Sequence, residues 1–370
     1  MTGAPQQAQR QYFLRRDYLL LTAMGLFLFL ALVTPASVTQ YPRWVNWPTI
    51  GTLLGLMLLT KGLETSGCLH HLGEQIILRF SNTRSLGLFT VAACAILSMF
   101  LTNDIMLFVA VPLTLRLGDL AELPLRRLII FEALAVNAGS MLTPIGNPQN
   151  ILLWQLSRVH FMAFIQHMLP PFAIAGVCLL LLAYWAFPAQ PIHLQENRPL
   201  PSIRTPLLAA SLCLYVPFLV LVDMHHVMIA VMLVAAVFSL GFTRLLLKID
   251  WALLAVFLLL FLDMGLLTQH AIPGTQRLSH AGVLYVAGAV GSQFISNVPA
   301  AMVLTRYSSD WSTIAWAVNI GGFGLVSSSL ANLIALRLGR QPGSYAAFHA
   351  WSVPFFLLVA TLTGMWLMLG

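Results

Sequence analysis

Long apolar stretches recur along almost the whole chain, with only short polar segments between them. Because a helix rises about 1.5 Å per residue, roughly 20 apolar residues span the core of a bilayer. Only 8% of the residues are charged, against roughly 25% in a soluble domain, which excludes an ordinary soluble fold. The sequence predicts an all-α polytopic membrane protein, with uninterrupted spans at 18–38, 48–69, 163–187, 205–222, 225–247, 251–269 and 347–369.

Four further apolar stretches are interrupted by polar residues. The stretches 126–156 and 312–337 are long enough to cross a bilayer but contain Gly- and polar-rich sequence, which predicts broken helices. The stretches 86–115 and 282–305 each have two short arms around a polar tip. Two full crossings need about 40 residues, so each is predicted to be a re-entrant hairpin buried in protein. The total is about nine transmembrane helices, two of them broken, plus two hairpins.

The basic residues predict the orientation of the chain. With the N-terminus in the cytoplasm, Arg43, Arg158, Arg277 and Arg306 fall outside, and Lys61 lies within a span. All other Lys and Arg residues then face the cytoplasm, as the positive-inside rule requires. We therefore expect a cytoplasmic segment at 1–17 and a periplasmic C-terminus in a bacterial inner membrane. The net charge of +7 reflects this orientation, so the expected partner is the lipid bilayer and not nucleic acid.

Short motifs repeat in the same order in two parts of the chain. Phe100–Asn103 matches Phe294–Asn297, and Val136–Gly139 matches Val318–Gly321. Asn150 and Asn332 follow at equal spacing, and upstream Gly62–Thr65 matches Gly265–Thr268. An odd number of crossings separates matched spans, which predicts two inverted repeats. Inverted repeats with broken helices are typical of secondary transporters.

The repeats divide the chain into consecutive parts. The first repeat is predicted at 18–187 and the second, inverted repeat at 225–370. The Pro-rich stretch 188–204 is predicted to be a cytoplasmic linker, and 205–224 a connecting transmembrane helix. In this arrangement the first hairpin enters from the cytoplasm and the second hairpin enters from outside.

The polar breaks carry the candidate binding residues. Prolines remove amide donors and glycines permit unusual backbone angles, so the helices unwind there and expose carbonyl oxygens. Oxygen ligands without thiols or imidazoles suit a hard cation such as Na⁺, while helix N-termini attract an anion. The first site comprises Thr102, Asn103, Asp104, Asn137, Gly139, Ser140, Thr143, Pro144, Gly146, Asn147 and Asn150, and is the expected Na⁺ site. The second comprises Ser296, Asn297, Asn319, Gly321, Gly322, Ser327, Ser328, Ser329 and Asn332.

Intramembrane charges are costly in lipid and are therefore functional candidates. Lys61 and Glu64 share one helix face and are interpreted as neutralising each other. Glu132 follows Arg127 and is also consistent with an ordinary position at the cytoplasmic rim. Asp104, at a hairpin tip, is the strongest candidate for a cation ligand or proton carrier, and Asp263 remains a further candidate.

These motifs resemble the ion transporter superfamily, which includes arsenite-pump membrane subunits, NhaD-type sodium/proton antiporters, and citrate and dicarboxylate symporters. The motif Thr143–Asn150 is fairly specific, and the YbiR-type branch of inner-membrane proteins is the most similar. The resemblance implies that Thr102 and Asn103 face the first break, and that Ser296 and Asn297 face the second. It also implies an elevator-like motion, often within a homodimer. Asp104 and Val298 stand where dicarboxylate transporters carry a third hydroxyl residue.

The favoured function is therefore a secondary transporter that moves a small anion, coupled to Na⁺ or H⁺, with no cofactor. A Na⁺/H⁺ antiporter that uses Asp104 and Asp263 is an alternative, as is an arsenite or antimonite efflux permease. A passive channel is less consistent with paired inverted breaks. The sequence contains no catalytic constellation such as HExxH or GxSxG, so we do not expect an enzyme.

Overall fold

The computed structural model describes residues 20–77, 80–118, 121–192, 202–269 and 280–369. Helices dominate these residues, which contain no strand and only one isolated bridge, between Asn82 and Pro191. Three described helices are long and apolar enough to cross a bilayer, namely Phe161–Ala186, Thr205–Asp223 and Ser344–Leu369. Shorter apolar helical segments include Leu20–Val33, Val227–Gly241 and Trp251–Leu267, the last of these within the helix Trp251–Gln269. The predicted all-α class is confirmed, while the number of crossings stays a prediction.

Both predicted hairpins form as pairs of helical arms that contact each other. The first hairpin consists of Thr83–Ser98 and Asn103–Gly118, joined by residues 99–102. The second consists of Ala281–Ile295 and Asn297–Tyr307, joined by Ser296 alone. Ser296 has φ 70°, a backbone angle that few residues other than glycine adopt. Whether the hairpins are re-entrant in the membrane stays a prediction.

Both predicted broken helices are broken where the sequence indicates. The first consists of Leu125–Ser140 and Pro148–Ser157, and the second of Trp311–Gly321 and Leu330–Gly339. We call residues 141–147 the first break and residues 322–329 the second break. Pro148 begins the helix after the first break, a position where a missing amide donor costs nothing. A 3-10 turn, Val326–Ser328, lies inside the second break.

The stretch 48–69 differs from the single predicted span. Its helix, Trp47–Thr65, ends before a turn at Gly67, whose φ of 79° favours glycine. A separate helix, Cys68–Ile77, then begins and contacts both Trp47–Thr65 and the second arm of the first hairpin. A second short helix, Thr243–Leu246, similarly follows Val227–Gly241 within the stretch predicted as 225–247. Segment 1–17 and most of the predicted linker 188–204 lie outside the described residues.

One apolar core packs the broken helices between the hairpins and the longer helices. The first half of the first broken helix, Leu125–Ser140, contacts both arms of the first hairpin and the second half of the second broken helix. It also contacts the long helices Phe161–Ala186 and Ser344–Leu369. The residues of Leu125–Ser140 from Leu128 onward are all buried. The polar residues of the breaks are therefore enclosed by apolar packing, and this enclosure positions the candidate site.

Candidate functional site

Four asparagines join the two breaks through crossed hydrogen bonds. Asn137 Nδ2 donates to Asn332 Oδ1 at 2.7 Å, and Asn319 Nδ2 donates to Asn150 Oδ1 at 2.7 Å. Each bond links the first half of one broken helix to the second half of the other. We call Asn137, Asn150, Asn319 and Asn332 the crossed asparagine network. All four are buried, so these amides satisfy one another where water is excluded.

Each break is closed by an asparagine that holds its own backbone. Asn150 Nδ2 donates to the carbonyl oxygens of Met141 at 3.0 Å and Thr143 at 2.9 Å. At the matching position Asn332 Nδ2 donates to the carbonyl oxygens of Gly322 at 2.9 Å and Leu325 at 3.3 Å. Carbonyl groups released by the unwinding are thus paired, as buried backbone groups require.

Two further polar side chains reinforce the crossed bonds. Asn147 Nδ2 donates to Asn319 Oδ1 at 2.9 Å and also contacts Ser140. At the matching position of the other half, Ser329 Oγ donates to Asn137 Oδ1 at 3.1 Å. Ser328 Oγ donates to the carbonyl oxygen of Gly322 at 3.0 Å, which keeps it inside the second break.

Each hairpin tip contacts the break of its own half. The amide of Asn103 donates to the carbonyl oxygen of Gly146 at 2.9 Å, and the Thr143 hydroxyl donates to the carbonyl oxygen of Met99. Ser296 Oγ approaches the carbonyl oxygen of Ser328 at 3.5 Å. A methyl group placed on Gly322 would lie 3.2 Å from Asn297 Nδ2, so Asn297 also borders the second break.

Two glycines of the predicted sites allow close packing of helices. A Cβ atom on Gly139 would lie 1.9 Å from the carbonyl oxygen of Ala95. A Cβ atom on Gly321 would lie 2.6 Å from Ser292 Cβ and 2.9 Å from the carbonyl oxygen of Ala289. Each glycine therefore lets its broken helix lie directly against the first arm of its hairpin.

The structure does not bring every predicted residue into this centre. Ser327 is exposed, and its hydroxyl donates to the carbonyl oxygen of Gln293 at 2.9 Å on the side of the second hairpin. Asp104 is buried beside Asn103, whose Oδ1 accepts from the Asp104 amide at 2.9 Å. Pro144 and Gly146 lie in the buried first break. A Cβ atom on Gly146 would lie 2.2 Å from the carbonyl oxygen of Ser140.

Two glutamines belong to the centre although the sequence analysis did not select them. Gln149 is buried and its Nε2 lies 3.4 Å from Asn319 Oδ1, while its Oε1 has no partner among the described residues. Gln293 Nε2 donates to the carbonyl oxygen of Gly321 at 2.6 Å, and its Oε1 accepts from the Leu325 amide at 2.8 Å. The available signal for Gln293 was a pair of polar residues, Ser292 and Gln293, in a largely apolar hairpin arm.

The intramembrane charges Lys61, Glu64 and Asp263 lie in two different environments. Lys61 Nζ donates to both carboxylate oxygens of Glu64, at 2.9 and 2.7 Å, so the interpretation as a mutually neutralising pair is confirmed. Asp263 is 1% exposed, and neither of its carboxylate oxygens has a partner among the described residues. It lies on the helix Trp251–Gln269 and is absent from the crossed asparagine network.

Glu132 is enclosed by protein, and whether it also lies at the cytoplasmic rim of the membrane stays a prediction. Its side chain is 0% exposed because the first broken helix is packed on several sides by hairpin arms and longer helices. The hydroxyl of Thr114, on the second arm of the first hairpin, donates to Glu132 Oε1, and Oε2 has no partner among the described residues. A buried carboxyl with one free oxygen is a costly feature and therefore a functional candidate.

Comparison with known proteins identifies relatives of this architecture. The sequence model of the citrate transporter (CitMHS) family matches residues 12–321. The chain is 44% identical to inner membrane protein YbiR of Escherichia coli, over 94% of this chain and 93% of that protein. It is 31% identical to an uncharacterized transporter of Methanocaldococcus jannaschii, over 87% and 89% of the two chains. A silicon efflux transporter of Oryza sativa subsp. japonica is 31% identical over 38% of this chain and 30% of its own length.

Proposed function

Because the chain belongs to the citrate transporter (CitMHS) family, we propose that it is a secondary active transporter that moves a small anion, coupled to Na⁺ or H⁺. The family consists of transporters and not of enzymes, so the chain is a membrane transporter. The relative YbiR is an inner membrane protein, which supports a multi-pass position in the bacterial cytoplasmic membrane. The positive-inside rule supports a cytoplasmic N-terminus and a periplasmic C-terminus.

The crossed asparagine network is the observation that carries this proposal. Four helices begin beside it, namely the second arms of both hairpins and the second halves of both broken helices. The N-terminus of a helix carries partial positive charge and unpaired amide donors, which together favour an anion. An anion between the breaks would therefore be held by helix ends and amide groups without an arginine or lysine.

Buried side-chain oxygens beside the first break support a site for the coupling cation. The buried Gln149 Oε1 has no donor among the described residues, and the hydroxyl of Thr102 is buried at the hairpin tip. Amide and hydroxyl oxygens suit a hard cation such as Na⁺. Asp104, one position beyond Asn103, supplies the negative charge that a cation or a proton requires.

Matched hydrogen bonds support the proposal of two repeats that exchange access to the two sides of the membrane. The two crossed bonds are equivalent to each other, because Asn137 matches Asn319 and Asn332 matches Asn150. The bonds of Asn150 and Asn332 to their own breaks also match. In the proposed mechanism, the hairpins and breaks move together against the longer helices, in an elevator-like motion within a homodimer. A shared network of this kind would keep both breaks in register during the motion.

Thermal unfolding and transport assays test the proposal together. A ligand that binds only the folded protein raises the melting temperature as its concentration increases. We expect NaCl, compared with choline chloride at equal ionic strength, to raise the melting temperature, and one anion of a panel to raise it further. The same anion should enter proteoliposomes only under a Na⁺ or proton gradient. Saturable uptake that is indifferent to both gradients would contradict secondary active transport.

A second candidate is export of an uncharged hydroxide such as silicic or arsenous acid. The asparagines of the crossed network are neutral amides, which bind hydroxyl groups without requiring a negative substrate. The partial match to a silicon efflux transporter points the same way. Proteoliposomes loaded with silicic acid or arsenite separate the two candidates, because only export of these species under a proton gradient favours the second. A Na⁺/H⁺ exchange signal without either substrate would instead favour the antiporter, with Asp104 and Asp263 as its titrating groups.

A further inference from the structure

A cavity of about 260 Å³ lies away from the crossed asparagine network. Its walls come from the segment around Arg43 and Asn46, from Met264 on the helix Trp251–Gln269, and from Thr305 and Arg306 at the end of the second hairpin. Leu152 and Leu156, in the second half of the first broken helix, complete the wall. The cavity is therefore bordered both by elements of the candidate site and by elements outside it.

Two exposed arginines, Arg43 and Arg306, line this cavity with no counter-charge among the described residues. No Asp or Glu lies among the residues that line it, and neither Arg43 nor Arg306 has a hydrogen-bond or ion-pair partner among the described residues. Some arginines elsewhere are bonded to the protein. Arg84 donates to the carbonyl oxygen of Phe187 at 3.0 Å, and Arg127 donates to that of Ala186. Arg43 and Arg306 thus retain their full donor capacity.

The chemistry of the cavity favours a small carboxylate or oxyanion. A guanidinium group stays charged and presents planar donors that match carboxylate and phosphate geometry. The volume is below the range of about 300–1,000 Å³ that is usual for drug-sized ligands, which limits the occupant to a small molecule. Asn46 and Thr305 add polar groups beside the two arginines, and the other residues that line the cavity are apolar.

The position of the cavity connects it to the candidate site. Thr305 lies on the same helix as Asn297, about 12 Å further along at 1.5 Å per residue. Leu152 follows Asn150 on the helix after the first break. Arg43 and Arg306 are both predicted to lie outside the cytoplasm, so an anion arriving from that side would meet them before the asparagines.

We propose that this cavity is a receiving site in which Arg43 and Arg306 bind the transported anion before it reaches the crossed asparagine network. The proposal rests on the proposed function of anion transport. Long-range attraction by two unpaired positive charges raises the local concentration of an anion, and salt screens this attraction. Loss of the arginines therefore weakens capture of the anion and leaves the later steps of transport unchanged.

Labelling with phenylglyoxal, which reacts with arginine, tests binding without requiring transport. Purified protein is labelled in detergent with citrate or inorganic phosphate, against chloride at equal ionic strength, and each site is read by mass spectrometry. We expect either anion to slow labelling of Arg43 and Arg306 several-fold and to leave Arg158 unchanged, since Arg158 is exposed and outside the cavity. Equal slowing at Arg158, or no slowing at all, would overturn the receiving site. Protection by phosphatidylglycerol nanodiscs alone would assign the cavity to a lipid headgroup and overturn it as well.

Transport by charge-neutral variants tests the role of the cavity. For an anion that the wild-type protein carries, Arg43→Gln with Arg306→Gln should raise the KM about tenfold, the effect of losing about 1.4 kcal/mol of binding. The maximal rate should change less than twofold, and the wild-type increase of KM with ionic strength should be lost. Arg158→Gln is the matched control and should keep the wild-type KM. A wild-type KM in the double variant refutes the receiving site, whereas failure of the wild-type protein to transport any anion refutes the proposed function.

Discussion

The two breaks reach the same arrangement with different residues. In the first break, Asn147 caps the following helix and Pro148 begins it. The second break uses Ser328, Ser329 and a 3-10 turn, with Gln293 of the hairpin bonded to its backbone. The asparagines of the crossed network and the carbonyls they hold are common to both. The position of the amide donor is therefore common to the two breaks, whereas the sequence of the loop differs.

The hairpin tips differ more strongly than the breaks. The first tip spans residues 99–102 and is followed by the buried carboxyl of Asp104. The second tip is Ser296 alone, and the position that matches Asp104 is the apolar Val298. Negative charge beside the centre is therefore confined to the first half among these tip residues. This asymmetry is the reason that we assign the coupling cation to the first site.

The largest effects are expected from the asparagines at the hairpin tips. Asn103→Ala and Asn297→Ala should each lower transport by at least about 100-fold, because transport requires both tips. Initial rates in proteoliposomes, corrected for the amount of protein inserted, measure the loss. Asn82→Ala is the matched control, since Asn82 caps the opposite end of the first hairpin arm through the Ser85 amide. Full activity in both tip variants would reject the paired-site arrangement.

Substitution of the packing glycines, Gly139 and Gly321, should lower the stability by different amounts in the two halves. Gly139→Ala should destabilise the protein by about 1–3 kcal/mol and Gly321→Ala by less, because the added methyl group at Gly139 meets a backbone oxygen at the shorter distance. Thermal unfolding in detergent measures both variants. Gly176→Ala, on the helix Phe161–Ala186, has open space around its added methyl group and should not destabilise. A larger loss of stability in Gly321→Ala than in Gly139→Ala would contradict the tighter packing at Gly139.

The two crossed bonds should contribute equally, since each joins its atoms at 2.7 Å. A double-mutant cycle on Asn137→Ala and Asn332→Ala is expected to give a coupling of about 1 kcal/mol in the free energy of unfolding. The cycle on Asn150→Ala and Asn319→Ala should give the same value within about 0.5 kcal/mol. Asn82 combined with Asn332 provides the additive control. A coupling confined to one of the two pairs would show that the halves are not energetically equivalent.

The smallest effect is expected where the first half carries an ion pair that the second half lacks. Lys61 and Glu64 match Met264 and Leu267, so the double substitution Lys61→Met with Glu64→Leu makes the first half resemble the second. Replacing a partly buried pair with apolar residues of similar size should change the stability by less than about 1 kcal/mol. Glu64→Leu alone, which leaves Lys61 unpaired, should be more destabilising. A large loss in the double variant, measured by thermal unfolding, would indicate that the pair acts beyond neutralising itself.

The sequence was most informative where chemistry is periodic or repeated. Apolar length and polar interruption predicted the broken helices and the hairpin arms to within a few residues, because those features act locally along the chain. The matched motifs also selected the four asparagines. Their reciprocal pairing was not predicted, since it depends on how distant helices pack.

The residues whose environment was not predicted all depend on how distant parts of the chain pack together. The burial of Glu132 was not predicted, because it comes from the surrounding hairpin and longer helices and not from the sequence of its own helix. Gln149 and Gln293 were missed because a glutamine in a helix has many roles, and only its contacts distinguish them. Ser327 belongs to a serine-rich run, but the 3-10 turn directs it outward.

The reciprocal bonds of the crossed asparagine network bear on how such a protein could originate. Neither half holds both partners of a crossed bond, because Asn137 requires Asn332 and Asn319 requires Asn150. A half-length ancestor with the same chemistry would have left its amides unsatisfied in the membrane unless a second copy supplied the missing asparagines. Fusion of two such copies into one gene would have kept the two halves together. Each half could then diverge everywhere except at the asparagines that bond to the other half.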